Sequence, residues 1–553
     1  MTDQLTLALA QINPTVGNIH ANLARVRDAR RRAAERGADL VVCPELVASG
    51  YPPEDLVLKP FFQDLVERAV TALAAETADG GPALLLGSPW RVEGRLYNAA
   101  LLLDGGAVAA IRLKFDLPNY GVFDEKRVFA AGPLPEPVLF RGVSLGVLVC
   151  EDMWTPAVAG TLARCGAELL LVINGSPFET GKGDRRLELA AARTGETGLP
   201  LLYVNQVGGQ DELVFDGASF ALGADGREAA RAPSFREHLL VTRWERRDGG
   251  WTCTEGETGT PAEGLAAIYQ AMMLGLADYV NKNRFPGVLL GMSGGIDSAL
   301  TAAVAVDALG AGRVHAVLMP SPYTSDESTE DATEAASLLG CKLDTVSIEP
   351  AMAAFDTILA PVLAGREPDI TEENIQSRLR GMILMALSNK FGAMVLSTGN
   401  KSEMSVGYST LYGDMCGGYS VLKDVYKTTV FALARWRNAQ LPEDALGPAG
   451  RVVPERVLTK PPTAELKPNQ TDQDTLPPYD VLDDILECLV ENELGLAEIV
   501  ARGHDEDTVN RVWHMLDRAE YKRRQAPPGV KLTRRGFGRD RRYPITNRFL
   551  SVL

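Results

Sequence analysis

At 553 residues the chain is too long for one hydrophobic core, so two or more domains are expected. Its composition, 46% hydrophobic and 23% charged, is that of a globular enzyme and argues against a disordered chain. The formal charge of −16, from 56 basic and 72 acidic residues, disfavours nucleic acid as a partner.

Seven cysteines lie scattered without paired spacing, which suggests neither a disulfide framework nor a zinc site. The stretch 1–11 has no basic leader, and no segment approaches the roughly 18 apolar residues of a membrane span. The expectation is a cytoplasmic protein with no membrane partner.

Up to about residue 245, short apolar runs alternate with amphipathic stretches. The runs 5–12, 40–43, 83–86, 145–149, 169–173 and 201–204 read as strands, and 18–36 and 60–77 read as helices. This predicts an α/β domain over 1–245. The segment 246–264, rich in Gly, Thr and Glu, reads as a linker. A second domain is predicted over 265–553, opening with an amphipathic helix (265–282). Buried strands follow at 287–292, 314–319 and 394–397, which together predict an open parallel sheet. The Pro-, Thr- and Asp-rich segment 451–479 reads as a long loop. No repeat at solenoid periods is present.

Three segments of the first domain each end an apolar run on a reactive side chain: 41–45 on Glu45, 111–114 on Lys114 and 147–150 on Cys150. A thiol becomes a nucleophile when a base takes its proton, and an ammonium can steady the oxyanion that forms. Taken singly, the three also read as a turn carboxylate, a solvated lysine and a buried thiol. The words around them narrow the choice. Pro44-Glu45-Leu46, the segment Leu117-Pro118-Asn119-Tyr120-Gly121-Val122-Phe123-Asp124-Glu125-Lys126-Arg127, and Cys150-Glu151-Asp152-Met153-Trp154 follow in chain order.

Together these words resemble the nitrilase superfamily, and more narrowly its glutaminase branch attached to NAD synthetases. The resemblance covers nearly all of the first 245 residues and implies a four-layer α-β-β-α sandwich. It implies Cys150 as nucleophile on the glutamine amide, Glu45 as general base and Lys114 as the oxyanion partner. Glu125 matches the family's auxiliary acid, and Tyr120, Ser176 and Lys182 match its glutamine-binding positions. Two positions depart from the pattern. Phe115-Asp116 follows Lys114, and Cys43 stands where a phenylalanine is common, which raises the prospect of a second reactive thiol.

In the second domain Gly291, Met292, Ser293, Gly294, Gly295, Ile296, Asp297 and Ser298 lie between an apolar run and a helix-like segment. Glycines let backbone N–H groups and a helix N-terminus face phosphate oxygens, Ser293 and Ser298 add hydroxyls, and Asp297 can hold magnesium. A Gly-rich helix entry with Ser and Asp caps is the plainer reading. Without a Gly-Lys-Ser/Thr ending the segment is not a Walker A loop. It resembles the ATP pyrophosphatase family, whose Rossmann-like domains cleave ATP to AMP and pyrophosphate.

Further segments resemble NAD synthetases over the whole second half: 397–403, 412–414, 422–424 and 461–466. The resemblance implies that Thr398, Lys423 and Thr463 contact ATP and that Glu403 joins Asp297 on Mg2+. It places Asn374, Arg378, Glu403, Asp414 and Lys522 on deamido-NAD. The basic tail, 522–524 and 531–542, reads as a source of cations for these phosphates rather than a nucleic-acid surface.

The implied activity is ATP-dependent amidation of deamido-NAD to NAD with ammonia from glutamine, through an acyl-adenylate. A homo-oligomer is expected. The alternatives are an adenylating amidotransferase with another acceptor, such as a purine nucleotide or aspartate, and a nitrogen sensor that binds without turnover.

Overall fold

Leu7 and Leu9 point to one side of their strand and Ala8 and Ala10 to the other, and this alternation sets the architecture of the first half. The computed structural model describes residues 3–247, 249–468 and 470–549. Two units make up the chain, Met1–Glu263 and Gly264–Leu553.

The first unit contains β1 (Gln4–Gln11), β2 (Leu40–Val42), β3 (Ala83–Val92), β4 (Arg95–Asp104), β5 (Ala107–Leu113), β6 (Val138–Phe140), β7 (Val143–Val149) and β8 (Leu169–Asn174). It continues with β9 (Leu201–Asn205), β10 (Val207–Gln210), β11 (Leu213–Asp216), β12 (Phe220–Leu222), β13 (Glu228–Arg231), β14 (His238–Arg247) and β15 (Gly250–Glu255). A seven-stranded sheet takes the order β15-β14-β1-β2-β3-β4-β5, and a six-stranded sheet the order β13-β12-β9-β8-β7-β6.

Leu7, Leu9, Leu40 and Val42 of the first sheet meet Val147, Val149, Leu171 and Ile173 of the second in one shared core. The outer face of the first sheet is covered by helices Ile19–Glu35 and Pro60–Glu76. Ile19, Leu23 and Val26, with Phe62, Val66 and Val70, form helical stripes against Ala8, Ala10 and Val41. Asn18 caps the first of these helices, and proline opens the second. Helices Pro156–Arg164 and Lys182–Thr197 cover Leu148, Leu170 and Val172 on the other outer face. The result is the α-β-β-α order that the family resemblance implied.

The predicted strands recur with small shifts at their ends, but 83–86 is only the start of the ten-residue β3, which turns back into β4 and β5. The predicted linker 246–264 is largely structured. Its residues 250–255 form β15, an edge strand antiparallel to β14 with Trp251 buried. Cross-strand pairing supplies partners that a glance at Gly and Thr content does not show.

The second unit holds β16 (Val288–Gly291), β17 (Val314–Leu318), β18 (Lys342–Thr345), β19 (Met394–Ser397) and β20 (Tyr419–Ser420), in the order β18-β17-β16-β19-β20 with every neighbour parallel. Strand order reverses between β16 and β19, and the crevice beyond their C-terminal ends is where open α/β sheets bind ligands. The predicted loop 451–479 carries helix Glu455–Thr459 and a short 3-10 turn, Asp472–Asp474. Among the described residues no helix is long and apolar enough to cross a membrane.

Candidate active sites

In the first unit the reactive side chains gather at strand ends. Lys114 follows β5 and Cys150 follows β7, while Glu45 lies just past β2 and Ser176 just past β8. β5 runs in the same sense as β2, because two antiparallel turns separate it from β3, so their ends share one edge.

The Lys114 ammonium is fully buried between two carboxylates, 2.7 Å from Glu45 Oε1 and 2.8 Å from Glu125 Oε2. Burial alone would lower its pKa, but Glu125 and Glu45 outweigh this and hold the ammonium charged. Burial raises Glu125 to about 7, against the pull of Lys114. Glu45 is further fixed by the Gly175 N–H, which donates to Oε2 at 2.8 Å from the opposite sheet.

Cys150 begins the 3-10 turn Cys150–Met153 with φ of 46°, a left-handed conformation that side chains other than glycine adopt at a cost. This turn carries Cys150 off the end of β7, within electrostatic reach of Glu45 and Lys114. Burial first, and then Glu45, push the thiol well above its usual pKa, with Lys114 opposing them. Burial and Glu45 thus both favour the protonated thiol at Cys150.

Tyr120 and Lys182 flank one ring, Phe123. The Tyr120 ring centroid is 5.7 Å from that of Phe123, and the Lys182 ammonium stands 5.7 Å from the same ring. The Tyr120 hydroxyl donates to Glu151 at 3.0 Å, and the residue is 52% exposed, at the mouth of the site. Ser176 is buried; its N–H donates to Asn205 Oδ1 at 2.9 Å and its hydroxyl accepts from Arg186 at 3.1 Å. The second thiol raised by the sequence does not qualify as reactive: Cys43 is fully buried, and burial pushes it up to about 12.

Several contributors carried no signal as a motif. Asn98, inside the apolar strand β4, donates from Nδ2 to Glu45 at 2.7 Å and to Glu125 at 3.4 Å. Tyr51 donates to Glu125 at 3.0 Å. Arg186, fully enclosed, pairs with Asp216 at 2.8 Å and donates to the carbonyls of Ser176 and Pro177, holding that loop. A buried polar residue in the middle of a Leu- and Ala-rich strand was the one visible clue for Asn98.

In the second unit β16 runs into the turn Met292 to Gly295 and then helix Ile296–Leu309. Gly294 has φ of 79°, and a Cβ there would meet the Ser328 carbonyl at 2.2 Å, so only glycine fits. Ser293 and Ser298 brace the turn through hydroxyl contacts of 3.1 to 3.2 Å. A cavity of about 550 Å³ opens at the ends of β16, β17 and β19. Gly291, Met292, Ser293 and Thr398 line it, as do Asn374, Arg378, Asp414 and Lys522. Asn374 accepts from Thr410, Arg378 donates to the Leu411 carbonyl, and Lys522 donates to the Gly407 and Ser409 carbonyls, so these residues also hold the segment 407–414. Arg380, absent from the sequence reading, lines the same cavity, and burial lowers it to about 10.

Eight expected residues stand off that lining: Gly294, Gly295, Ile296, Asp297 and Ser298 of the turn and helix start, with Glu403, Lys423 and Thr463. The Thr463 hydroxyl donates to the Gln470 carbonyl at 2.6 Å, and the Lys423 stem packs where Gly529 leaves room. Asp297 and Glu403 instead share a residue that the sequence reading passed over: the Lys427 ammonium lies 2.5 Å from Asp297 and 3.0 Å from Glu403. Asn400 donates to the other oxygen of Asp297 at 2.8 Å. The reading of the basic tail as a phosphate patch is corrected. Lys531, Arg523 and Arg541 are buried and pair with Asp540 and Glu520, while Arg535 pairs with Glu493. Of the tail's cations only Lys522 lines the cavity.

Comparison with known proteins accounts for both units. A carbon-nitrogen hydrolase family model matches residues 6–248, and an NAD synthase model matches residues 268–526. The chain is 53% identical to the glutamine-dependent NAD(+) synthetase of Rhodobacter capsulatus over 549 residues, covering 99% of each protein. It is 42% identical to that of Thermotoga maritima over the full length of both. A glutamine-dependent NAD+ synthetase from Acinetobacter baumannii, solved with adenosine diphosphate, superposes with a TM-score of 0.78 at 44% identity, covering 98% of this chain and 99% of that one. With a hydrolase-type sandwich and a synthase-type parallel-sheet unit in one chain, and relatives matched end to end, the chain belongs to the glutamine-dependent NAD(+) synthetase family.

Proposed function

We propose that the first unit hydrolyses glutamine at Cys150 and that the second uses the ammonia to convert deamido-NAD to NAD with ATP. The observation that carries the first half is the buried Lys114 ammonium held between Glu45 and Glu125 beside a thiol on a strained turn. Glu45 takes the thiol proton as Sγ bonds to the amide carbon, and Lys114 offsets the charge on the oxyanion. Collapse of that intermediate expels ammonia, which leaves with the proton Glu45 held. Water then attacks the thioester with Glu45 again as base, releasing glutamate and restoring the thiol. Tyr120, Ser176 and Lys182 are the glutamine contacts in this reading.

At the second site a nicotinate carboxylate is a poor electrophile, so it is activated first. Its oxygen attacks the α-phosphorus of ATP, pyrophosphate departs, and ammonia then attacks the acyl carbon and expels AMP. Residues 291 to 298, with Thr398, are the ATP contacts in this reading, supported by the turn that opens helix Ile296–Leu309, whose N-terminus favours phosphate. Lys423 and Thr463, although off the cavity lining, are assigned to ATP from the family resemblance. Asn374, Arg378, Asp414 and Lys522, which line the cavity, are the deamido-NAD contacts in this reading, and Glu403, off the lining, is assigned to it from the family resemblance.

Mg2+ fits the Asp297 and Glu403 pair, whose two hard carboxylates are already arranged around a positive charge, that of Lys427. Magnesium typically takes one or two carboxylates plus substrate phosphates, and it would neutralise charge on the departing pyrophosphate. Seven free cysteines accord with a reducing cytoplasm. Ile358 and Val362, 65% and 80% exposed on helix Glu349–Leu363, which has no buried residue, support a homo-oligomer.

The test is NAD formation from deamido-NAD and ATP with either glutamine or ammonium. Product from both sources, with AMP released in equal amount, is the expected result. Turnover only with another acceptor would replace deamido-NAD in this reading, and binding without AMP release would make the chain a sensor.

A further inference from the structure

We infer that Asp152 is a positioning residue of the glutaminase site, a clamp that fixes the Cys150 turn against the strand end carrying Lys114. The inference rests on Cys150 being the nucleophile. Cys150 and Lys114 belong to different sheets, so nothing in either ladder sets the distance between them. Asp152 crosses that gap. Its Oδ1 accepts the N–H groups of Phe115 at 3.0 Å and Asp116 at 2.8 Å, the two residues after Lys114. Its Oδ2 accepts the N–H of Val149, the residue before Cys150, at 3.0 Å. Both reactive residues are thus gripped through their immediate chain neighbours by one carboxylate.

Arg112 closes the clamp from the β5 side. Its guanidinium lies 3.4 Å from Asp152 Oδ2, and its Nε donates to the Val147 carbonyl on β7 at 3.0 Å. Asp152 is fully buried, and burial raises its pKa while Arg112 and the N–H groups of Asp116 and Val149 stabilise the ionised form. Four donors converge on two oxygens, so the acceptor capacity of a carboxylate is used on both sides. An amide in its place offers one acceptor oxygen and turns an NH2 group toward donors. The left-handed Cys150 backbone makes this restraint consequential, since a strained turn persists only where its surroundings fix it. The effect belongs to the chemical step, because misplacement of reacting groups by about 1 Å costs up to about a hundredfold in rate.

The experiment compares Asp152→Asn, Arg112→Lys and Cys150→Ala in the full chain, assaying NAD synthesis with glutamine and with ammonium and alkylation of Cys150 by iodoacetamide. For Asp152→Asn, kcat with glutamine is expected to fall at least about tenfold with KM changed less than about threefold, alkylation slowing in parallel. The ammonium-dependent rate should stay within about twofold of the parent, which a general loss of fold would not allow. A glutamine kcat within about twofold of the parent, or an equal fall with ammonium, overturns the clamp. If Asp152→Asn fails to fold, Arg112→Lys decides. It keeps the charge but loses the two-point grip, and an unchanged glutamine kcat in it likewise overturns the inference. Glutamine-dependent synthesis surviving in Cys150→Ala would overturn the nucleophile itself, a separate failure.

Discussion

The Lys427 ammonium lies 2.5 Å from Asp297, and the same nitrogen reaches Glu403 at 3.0 Å, so one lysine balances two carboxylates from separate helices. Burial raises Glu403 to about 7 against the pull of this cation, with the facing Asp297 carboxylate adding to the rise. Such a cluster is built to take more positive charge. Asp297→Asn and Glu403→Gln should each lower NAD formation from both nitrogen sources and raise the Mg2+ concentration needed for half-maximal rate. An ammonium-dependent rate near that of the parent at low Mg2+ would remove Asp297 and Glu403 from the metal site.

Replacing the lysine tests the same cluster through stability. Lys427→Met leaves two largely buried carboxylates facing each other without a counter-charge. Breaking a buried pair in this way costs about 3–5 kcal/mol, read as a lower thermal midpoint. Mg2+ without nucleotide should then raise the midpoint of Lys427→Met more than that of the parent, because the ion substitutes for the lost ammonium. Equal shifts in the two proteins would show that the carboxylates do not bind the metal.

The three candidate words were legible because each is short and ends a strand. Glu45, Lys114 and Cys150 need only their own segments to be recognised, and the sheets bring the segments together. The residues that orient them were less legible because their partners are distant in sequence. Asn98 reaches Glu45 53 positions away, and Lys427 reaches Asp297 130 positions away. Asp152 stood in plain view within a quoted word, but its role is to backbone N–H groups, which sequence does not display. The basic tail misled for the same reason: a run of cations shows its charge but not the acids that neutralise it. In 246–264 the alternation of Trp251 and Cys253 was a strand signal that turn-like composition concealed.

Asn98 gives a direct measure of how tightly the two acids must be held. Its Nδ2 is a neutral donor to both Glu45 and Glu125, so it adds order without adding charge. Asn98→Ala should reduce kcat with glutamine by about ten- to a hundredfold while ammonium-dependent synthesis is kept. Asn98→Asp should be worse than Asn98→Ala, because it removes the donor and sets a third carboxylate against Glu45 and Glu125. Rates in the order Asp above Ala would show that Asn98 is packing and not a donor.

Glu125 should leave its mark on both the pH profile and the stability of the first unit. Burial raises its carboxyl from an ordinary 4.5 to about 7, with Glu45 adding to the rise and Lys114 opposing it. In the folded chain it therefore holds its proton more tightly than in the unfolded chain. Its contribution to stability is full below the unfolded value and is lost as pH rises through about 7. Glu125→Gln mimics the protonated acid and carries no such dependence. The thermal midpoint of the parent minus that of Glu125→Gln should thus fall between about pH 5 and about pH 8. Activity runs the other way, because the ionised form is the one that shares Lys114 with Glu45 and leaves the ammonium correctly placed. Glutamine hydrolysis by the parent should rise through about pH 7, and that limb should be missing from the lower profile of Glu125→Gln. A limb near neutrality that persists in Glu125→Gln would assign the ionisation to another group and reduce Glu125 to a structural partner of Lys114.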